Sequence, residues 1–256
     1  MTGVSIDINA DLGEFEESLA NGTDLELMRY ITSASIACGG HAGNEQTMRQ
    51  TLSAARTLKV AVGAHPGYPD RANFGRIESQ LCLLEIEASV KQQVETLAKI
   101  ASSLNMRLAH VKPHGALYHA ANTNHDVALA IGRAVKAIDP QLVMVGQAGS
   151  PVLEVWDSMG LRFAAEAFAD RAYEPDGRVR NRNLPGALLS DPERAAQQAV
   201  DIALRHRIIP CDGTELRVKA NTICVHSDTP GSVAIARSVN QRLREAGVVL
   251  RASHFQ

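Results

Sequence analysis

Short apolar segments alternate with stretches of helical periodicity along the whole chain, and this alternation limits the fold more than any other feature of the sequence. In the first segment Ile6 and Ile8 alternate with Ser5 and Asp7, which is the period-two pattern of a β-strand. Similar apolar segments recur at residues 34–38, 60–64, 108–111, 142–145, 161–165 and 222–225. Strands that alternate with helices form βα units around a parallel sheet, so we predict an α/β protein.

The stretches between these segments carry helical spacing or helix-start signals. Residues 77–104 and 127–138 repeat their apolar side chains at spacings of three and four, which is typical of one helix face. Asp191 and Thr229 each precede a proline, an arrangement that predicts an N-cap at a helix start. Seven such units favour a closed (β/α) barrel, and residues 248–251 supply either an eighth, irregular strand or a segment packed beneath the barrel.

The length and composition of the chain suit one such barrel. It has 256 residues, of which 45% are hydrophobic and 21% are charged. Because α/β barrels of roughly 250 residues commonly form a single domain, we predict one domain over residues 1–256. The formal net charge of -2 gives no general attraction to nucleic acid or to an anionic membrane, so neither is an expected partner.

Cysteine usage and the start of the chain indicate a cytoplasmic protein. The four cysteines are widely spread and form no C-x-x-C pair, which argues against a disulfide framework and a structural zinc site. The chain begins MTGVSIDINADLGE, without a basic start, and no uninterrupted apolar run reaches membrane-spanning length. We therefore expect buried thiols in a reducing compartment.

Glycine and polar residues gather directly after almost every predicted strand. The segments read NADLGE (9–14), CGGHAGN (38–44), AHPGYPD (64–70), KPHGALYH (112–119), QAGSP (147–151), EAFADRAY (166–173) and HSDTPGS (226–232). The loops that follow the strands of a (β/α) barrel all lie on one face, where active sites form. These separate motifs therefore predict one pocket, with His41, His65, His114 and His226 at strand ends.

Lys112 closes an apolar strand and shares its alternation face with Leu108 and His110. Its ammonium group is therefore expected at the pocket floor, within ion-pair reach of at least one of four carboxylates that would favour its charged form: Asp11, Glu14, Glu166 or Asp170. The alternative is a lysine that extends to solvent at the rim of the barrel.

Two features offer a place for an anionic group. The glycine-rich residues 39–44 open a predicted helix and would present backbone N–H groups to a carboxylate or phosphate. The irregular residues 171–189 carry four arginines and are long for a simple connection, so we interpret them as a functional loop or lid. The chain has neither a G-x-G-x-x-G motif after the first strand nor a G-x-x-x-x-G-K-[ST] motif.

The whole chain resembles the LamB/YcsF family through motifs that occur in the family's order: DINADLGE, SIACGGHAGN, VGAHPGYPD, FGR, VKPHGALY, EAFADRAY and VHSDTPGS. The resemblance implies an irregular seven-stranded (β/α) barrel of the glycoside hydrolase/deacetylase type. It also implies the A subunit of an ATP-hydrolysing 5-oxoprolinase, which opens 5-oxoproline to L-glutamate and is active only with partner subunits B and C. ATP with Mg²⁺ is the cofactor expected for that complex.

Opening a lactam needs a base for water, a cation or donor for the developing oxyanion, and a place for an anion. Asp11 or His65 is the predicted base, Lys112 and His114 are the predicted stabilisers, and Glu166 is a further catalytic candidate. The predicted substrate-binding residues are Asn9, Glu14, Gly39, Gly40, His41, Asn44, Asp170, Arg171 and His226.

Two other functions stay open at this point. A metal-dependent carbohydrate deacetylase or amidohydrolase would use Asp11, His41 and His65 to bind a divalent metal that activates water. A non-catalytic subunit would hold 5-oxoproline for its partners without turning it over. The sequence leaves open whether this chain binds metal and whether it forms a homo-oligomer.

Overall fold

Seven parallel strands close into a barrel in the computed structural model of this protein, which describes residues 3–252. The described strands are β1 (Ser5–Leu12), β2 (Ser33–Ala37), β3 (Ala61–His65), β4 (His110–Val111), β5 (Val143–Gln147), β6 (Phe163–Phe168), β7 (Arg207–Ile208), β8 (Leu216–Arg217), β9 (Thr222–Cys224) and β10 (Val249–Leu250). The ring follows the order β1, β2, β3, β4, β5, β6 and β9, and β9 pairs with β1 to close it. The predicted irregular seven-stranded (β/α) barrel is confirmed.

Helices surround this ring. Those of the described residues are α1 (Glu16–Ala20), α2 (Thr23–Met28), α3 (Glu45–Leu58), α4 (Leu83–Ser103), α5 (Gly115–Thr123), α6 (His125–Ile138), α7 (Val152–Ser158), α8 (Pro192–Arg205) and α9 (Ser232–Glu245). None of these described helices combines the length and the apolar character needed to cross a membrane. Asp191 caps α8 as predicted, because its carboxylate accepts hydrogen bonds from the backbone N–H groups of Glu193 and Arg194.

Two predicted helix starts are wrong. The helix expected from residue 77 begins at Leu83, because the Glu85 carboxylate accepts a 2.7 Å hydrogen bond from the Cys82 N–H and starts α4 there. Thr229 does not cap α9, whose N-cap is Gly231. The Thr229 hydroxyl group instead donates a hydrogen bond to the carboxylate of Asp170.

The end of the described chain resolves one alternative, and a short hairpin adds an element that the sequence did not predict. Residues 248–251 contain a strand, β10, which pairs in parallel with Ser5 and Ile6 at the start of β1. It lies beside the closed ring and not within it.

β7 and β8 form an antiparallel hairpin. Strands of two residues are too short to show a period-two pattern, so no sequence signal marks them.

The main apolar core lies between the strands and the helices. Ile8 and Leu12 of β1 belong to the same buried cluster as Leu52 of α3 and Val239 of α9. The described residues therefore pack around one barrel. The single domain over residues 1–256 stays a prediction, because residues 1–2 and 253–256 lie outside the described part of the chain.

The interior of the barrel, by contrast, is largely polar. Asp7 of β1 is buried and accepts hydrogen bonds from the hydroxyl groups of Thr32, Ser33 and Thr222. Burial raises the pKa of Asp7 to about 6, although these hydroxyl groups and the charge of Lys112 act to lower it. The alternation of β1 therefore separates an apolar face toward the helices from a hydrogen-bonded polar face inside the barrel.

Gly63 makes room for the ring of His110 inside the barrel. The two residues are register partners on β3 and β4. A Cβ atom on Gly63 would lie 2.3 Å from Cδ2 of that ring. The ring is buried, and its Nε2 lies 3.1 Å from the hydroxyl group of Ser35. His110, which alternation places on the same strand face as Lys112, thus lies in the barrel interior.

Gly63→Ala is therefore expected to lower the free energy of unfolding by about 1–3 kcal/mol, because the added methyl group must displace a buried ring in a packed interior. Gly3→Ala is the matched control, since a Cβ atom there meets nothing closer than 3.9 Å. The control should change stability by no more than about 0.5 kcal/mol. Urea unfolding followed by circular dichroism measures both variants, and equal unfolding midpoints would contradict the steric argument.

Candidate active site

A pocket of about 1100 Å³ opens at the carboxyl ends of the barrel strands. Parallel strands of a barrel all end at one face, so residues from separate motifs meet here. The predicted site residues that line the pocket are Asp11, Glu14, His65, Lys112, His114, Glu166, Arg171 and His226. Their convergence is a feature of the structure, and their individual roles stay predictions.

Asn9 and His41 are buried behind the residues that line the pocket. The Nδ2 atom of Asn9 donates a 2.9 Å hydrogen bond to Oε1 of Glu166. The Nε2 atom of His41 lies 3.1 Å from Oε1 of Glu14. Each of them contacts a carboxylate that faces the pocket, and their role in substrate binding stays a prediction.

Gly39, Gly40 and Asn44 do not line this pocket, so the anion site predicted at residues 39–44 lies outside it and stays a prediction. A Cβ atom on Gly40 would lie 2.7 Å from a backbone oxygen of the neighbouring loop, so close packing explains this glycine. The side chain of Asn44 accepts a 2.9 Å hydrogen bond from the N–H of Thr47 and caps α3. The helix N-terminus is thus capped by its own residue.

Polar groups surround Lys112 at the floor of the pocket. Its Nζ atom lies 2.7 Å from Oε1 of Glu166, 3.0 Å from Oδ1 of Asp11 and 3.1 Å from Oδ1 of Asn9. The Sγ atom of Cys224 is 3.3 Å away. The side chain of Lys112 is only 4% exposed, so the alternative of a solvent-exposed rim lysine is wrong.

Ion pairing determines the charge of Lys112 and Asp11. Burial acts to lower the pKa of Lys112, but Asp11 and the other acidic neighbours raise it well above its ordinary value. Burial acts to raise the pKa of Asp11, yet His65 and Lys112 outweigh it and lower that pKa to about 2. Lys112 is therefore a fixed positive charge, and the low pKa of Asp11 weighs against its predicted role as the base.

Three imidazole rings and one carboxylate meet beside Lys112. The Nδ1 atom of His114 lies 2.9 Å from Nε2 of His65 and 3.2 Å from Oε1 of Glu14. The ring of His41 stacks on that of His114 with a centroid distance of 3.6 Å. Burial acts to raise the pKa of Glu14, but the adjacent imidazoles lower it well below its ordinary value. Glu14 is therefore a buried, charged acceptor among aromatic nitrogens.

Within residues 3–252, two groups of side chains have the geometry to hold a metal ion. Glu14, His41, His65 and His114 each offer a ligand atom, and these atoms lie within 4.8 Å of one another. The second group consists of Asp11, Cys224 and His226. The triad predicted from the sequence, Asp11 with His41 and His65, is therefore divided between the two groups.

Asp170 orients His226 at the pocket wall. The Oδ1 atom of Asp170 lies 3.0 Å from Nδ1 of His226, and its Oδ2 accepts hydrogen bonds from the backbone N–H of the same histidine and from the hydroxyl of Thr229 at 2.5 Å. This last contact draws Thr229 away from the helix cap. Burial acts to raise the pKa of Asp170, but the adjacent His226 helps to lower it below its ordinary value. The charged carboxylate holds the Nδ1 proton and leaves Nε2 of His226 for the pocket.

Arginines from the long loop line the side of the pocket nearest to His226. Arg171 is buried, its Nη2 donates to the backbone oxygen of Arg180 at 2.7 Å, and its Nε has no partner among the described residues. Arg182 and Arg76 both form ion pairs with Asp228. Two antiparallel backbone bridges connect parts of this loop, one between Arg171 and Leu188 and one between Tyr173 and Val179. Many residues of the loop line the pocket.

Tyr118, Arg76 and Asp228 also line the pocket, although none of them was singled out from the sequence. Tyr118 is buried, and burial and then the neighbouring Glu166 raise its pKa well above the ordinary value. Tyr118 and Asp228 lie in motifs that follow strands, and Arg76 lies in the FGR motif of the family resemblance. Position after a strand could therefore have found the first two, and the family motif the third.

Comparisons with known proteins agree with the motifs. The LamB/YcsF family model matches residues 6–255. The A subunit of the 5-oxoprolinase from Chloroflexus aggregans is 47% identical over 248 residues, which are 97% of this chain and 98% of that protein. The crystal structure of a lactam utilization protein from Thermus thermophilus is similar with a TM-score of 0.91, at 40% identity over 97% of this chain and 99% of that one. A T48 deacetylase solved with substrate shares only the fold, with a TM-score of 0.50 at 15% identity over 99% of this chain and 91% of that one. The family match extends over nearly the whole chain, and this protein belongs to the LamB/YcsF family.

Proposed function

We propose that this chain is the A subunit of an ATP-dependent 5-oxoprolinase, which cleaves the lactam of 5-oxoproline to L-glutamate. The names of its close relatives support this role. Within the structure, the observation that carries the proposal is the buried Lys112 ammonium group, which Glu166 and Asp11 hold at the floor of an open pocket. A fixed cation at that place suits a reaction that develops negative charge on an amide oxygen.

Lys112 is proposed to stabilise the oxyanion. A lactam carbonyl gains negative charge when water attacks it, and a cation that is already in position needs no rearrangement during the reaction. The pKa of Lys112 lies well above its ordinary value, so the group stays charged at neutral pH. Glu166 and Asp11 fix its position through contacts of 2.7 and 3.0 Å.

His226 is proposed to carry the proton. Its Nδ1 faces Asp170, so the ring presents Nε2 to the pocket and can accept a proton from water there. Neither residue named as the base from the sequence matches this arrangement. Asp11 has a pKa of about 2, and burial lowers the pKa of His65 to about 3 despite the charge of Asp11.

Arg171 is proposed to bind the carboxylate of 5-oxoproline. Arginine presents planar, paired donors to a carboxylate, and the Nε atom of Arg171 has no partner among the described residues. Arg76 and Arg182 lie in the same pocket, where Asp228 partly neutralises them. This arginine side of the pocket replaces the glycine-rich segment as the proposed place for anionic groups.

The dependence on ATP is part of the proposal. Phosphorylation of the amide oxygen would turn a poor electrophile into an imidate phosphate that water attacks more readily, and Lys112 would then stabilise the negative charge of the phosphate on that oxygen. The chain has no G-x-x-x-x-G-K-[ST] loop, so we propose that subunits B and C contribute to the handling of ATP and Mg²⁺.

Purified alone, this chain is expected to show no ATP-coupled hydrolysis of 5-oxoproline, because the proposed activity needs all three subunits. Mixing it with subunits B and C should restore glutamate formation, which a coupled glutamate assay measures together with phosphate release. Robust turnover by the single chain would contradict the three-subunit arrangement. Release of acetate from N-acetylated oligosaccharides by the single chain would instead favour a deacetylase.

Lys112→Met is expected to abolish glutamate formation by the reconstituted complex, because it removes the fixed cation. Lys112→Arg should retain only a fraction, since a planar guanidinium does not reproduce a compact ammonium group. Loss of the cation leaves two buried carboxylates unpaired, which costs about 3–5 kcal/mol, so Lys112→Met combined with Glu166→Gln serves as a second, less strained variant. Lys91→Met is the control, because that side chain is 48% exposed. Near-normal activity of a folded Lys112→Met protein would refute the proposed role.

His226→Gln separates catalysis from simple binding. The variant should reduce turnover by the complex by at least about 100-fold, which is typical for loss of a general base, while calorimetry still detects 5-oxoproline binding. His125→Gln is the matched control, since that side chain is 68% exposed and lies on the outside of the barrel. Unchanged turnover by His226→Gln would favour a non-catalytic subunit that only holds the substrate.

A further inference from the structure

We propose that Glu14, His65 and His114 bind one divalent transition-metal ion at the pocket floor, and that His41 positions Glu14. Two imidazoles and one carboxylate form a ligand set that suits first-row divalent metals such as Zn²⁺. The proposal concerns binding by this chain, and it stands independently of the proposed lactam hydrolysis.

The hydrogen bonds of two histidines carry the argument. Nδ1 of His65 lies 2.8 Å from the backbone oxygen of Lys112, and Nε2 of His114 lies 2.9 Å from the backbone oxygen of Phe74. A carbonyl oxygen only accepts hydrogen bonds, so each ring must place its proton on the nitrogen that faces the carbonyl. The other nitrogen of each neutral ring therefore carries a lone pair.

Those two lone pairs point toward each other. Nε2 of His65 and Nδ1 of His114 are 2.9 Å apart, a distance that two unprotonated nitrogens do not hold without something positive between or beside them. Oε1 of Glu14 lies 3.2 Å from the same nitrogen of His114 and 3.8 Å from that of His65. Three electron-pair donors thus converge in a buried place, which is the arrangement that a cation stabilises.

His41 fits a supporting role. Its Nδ1 is buried and has no hydrogen-bond partner among the described residues, so the ring's single proton is best placed on Nε2, which lies 3.1 Å from Oε1 of Glu14. Metal-binding carboxylates and histidines are commonly held by such outer hydrogen bonds, as the backbone oxygens hold His65 and His114. The side chain of His41 has no exposed surface.

The second candidate group, Asp11 with Cys224 and His226, is a poorer metal site. The Lys112 ammonium group lies 3.0 Å from Oδ1 of Asp11 and 3.3 Å from Sγ of Cys224, so a cation already occupies that neighbourhood. A metal ion bound to Asp11 and Cys224 would lie close to the Lys112 ammonium group, and two positive charges repel each other strongly in a buried environment. The histidine group has no lysine or arginine at comparable distance among the ion pairs of the described residues.

The proposed ligands also face the open pocket. Glu14, His65 and His114 line the pocket, so an ion held by three protein ligands keeps an open position toward it. A metal in that position would activate a water molecule or polarise a bound carbonyl group. This assignment would replace the roles of base and stabiliser that the sequence suggested for His65 and His114.

Metal content tests the proposal without any activity assay. The full-length chain is stripped with a chelator, reloaded with Zn²⁺ or Co²⁺, desalted, and analysed by elemental mass spectrometry and calorimetry. We expect one ion per chain in the wild type, and a Co²⁺ absorption spectrum typical of nitrogen and oxygen ligands. The near-isosteric variants Glu14→Gln and His114→Gln, together with His65→Ala, should lose the ion, whereas His41→Ala should bind it about 10- to 100-fold more weakly.

Two controls locate the ion. His125→Ala removes an exposed histidine and Cys224→Ser alters the second candidate group, and both should retain one ion per chain. Zn²⁺ should raise the melting temperature of the wild type and of these controls but not of Glu14→Gln, since a ligand that binds only the folded state stabilises it. A wild type that retains no metal after reloading, or folded ligand variants that bind as tightly as the wild type, would overturn the proposal and leave a shared proton to explain the short histidine contact.

Discussion

The barrel depends on one costly feature, a lysine ammonium group buried at its centre. An ionised group removed from water is tolerated only when other groups replace its hydration, and Lys112 obtains four such contacts from three different strands or strand ends. Asn9 and Asp11 belong to β1, Glu166 to β6, and Cys224 to β9. Closure of the ring between β9 and β1 brings these partners around the Lys112 nitrogen. The floor of the pocket therefore forms only when the barrel closes, and the buried lysine is stable only in the closed barrel.

The same requirement explains the polar interior beneath the pocket. Asp7 is held by three hydroxyl groups, and Asn9 links Thr222, Glu166 and Lys112 through its single amide group. Such a network is stabilising only when its members are paired, because an unpaired buried polar group costs more than a hydrogen bond returns. The apolar core is therefore displaced outward, between the strands and the helices, and the interior serves to support the site.

The pocket brings together two chemically different groups of side chains. The first consists of Glu14, His41, His65 and His114, contributed by the ends of the first four strands and the loops after them. The second consists of the Asp170–His226 pair and the arginines that follow β6. The first group gathers electron-pair donors, and the second combines an oriented imidazole with cationic side chains. Parallel strands that end at one face of a barrel bring such different groups into a single pocket.

Local patterns in the sequence were enough to predict the seven barrel strands, the order of βα units and the face of the barrel on which polar residues gather. Period-two patterns and strand-end positions are local properties of the chain, so they identified Lys112 as inward-facing and placed His65, His114 and His226 at one end.

Which of these residues contact each other is decided by the folded barrel alone. Three contacts depend on how the ring closes: the short distance between His65 and His114, the pairing of Asp170 with His226, and the hydrogen bond that holds Thr229 away from a helix cap. The glycine-rich segment is a further example. Gly40 is explained by close packing, and the side chain of Asn44 caps α3, whereas the sequence predicted that both residues bind a ligand. Closure is set by register and packing between residues far apart in the chain, and no local pattern encodes those distances.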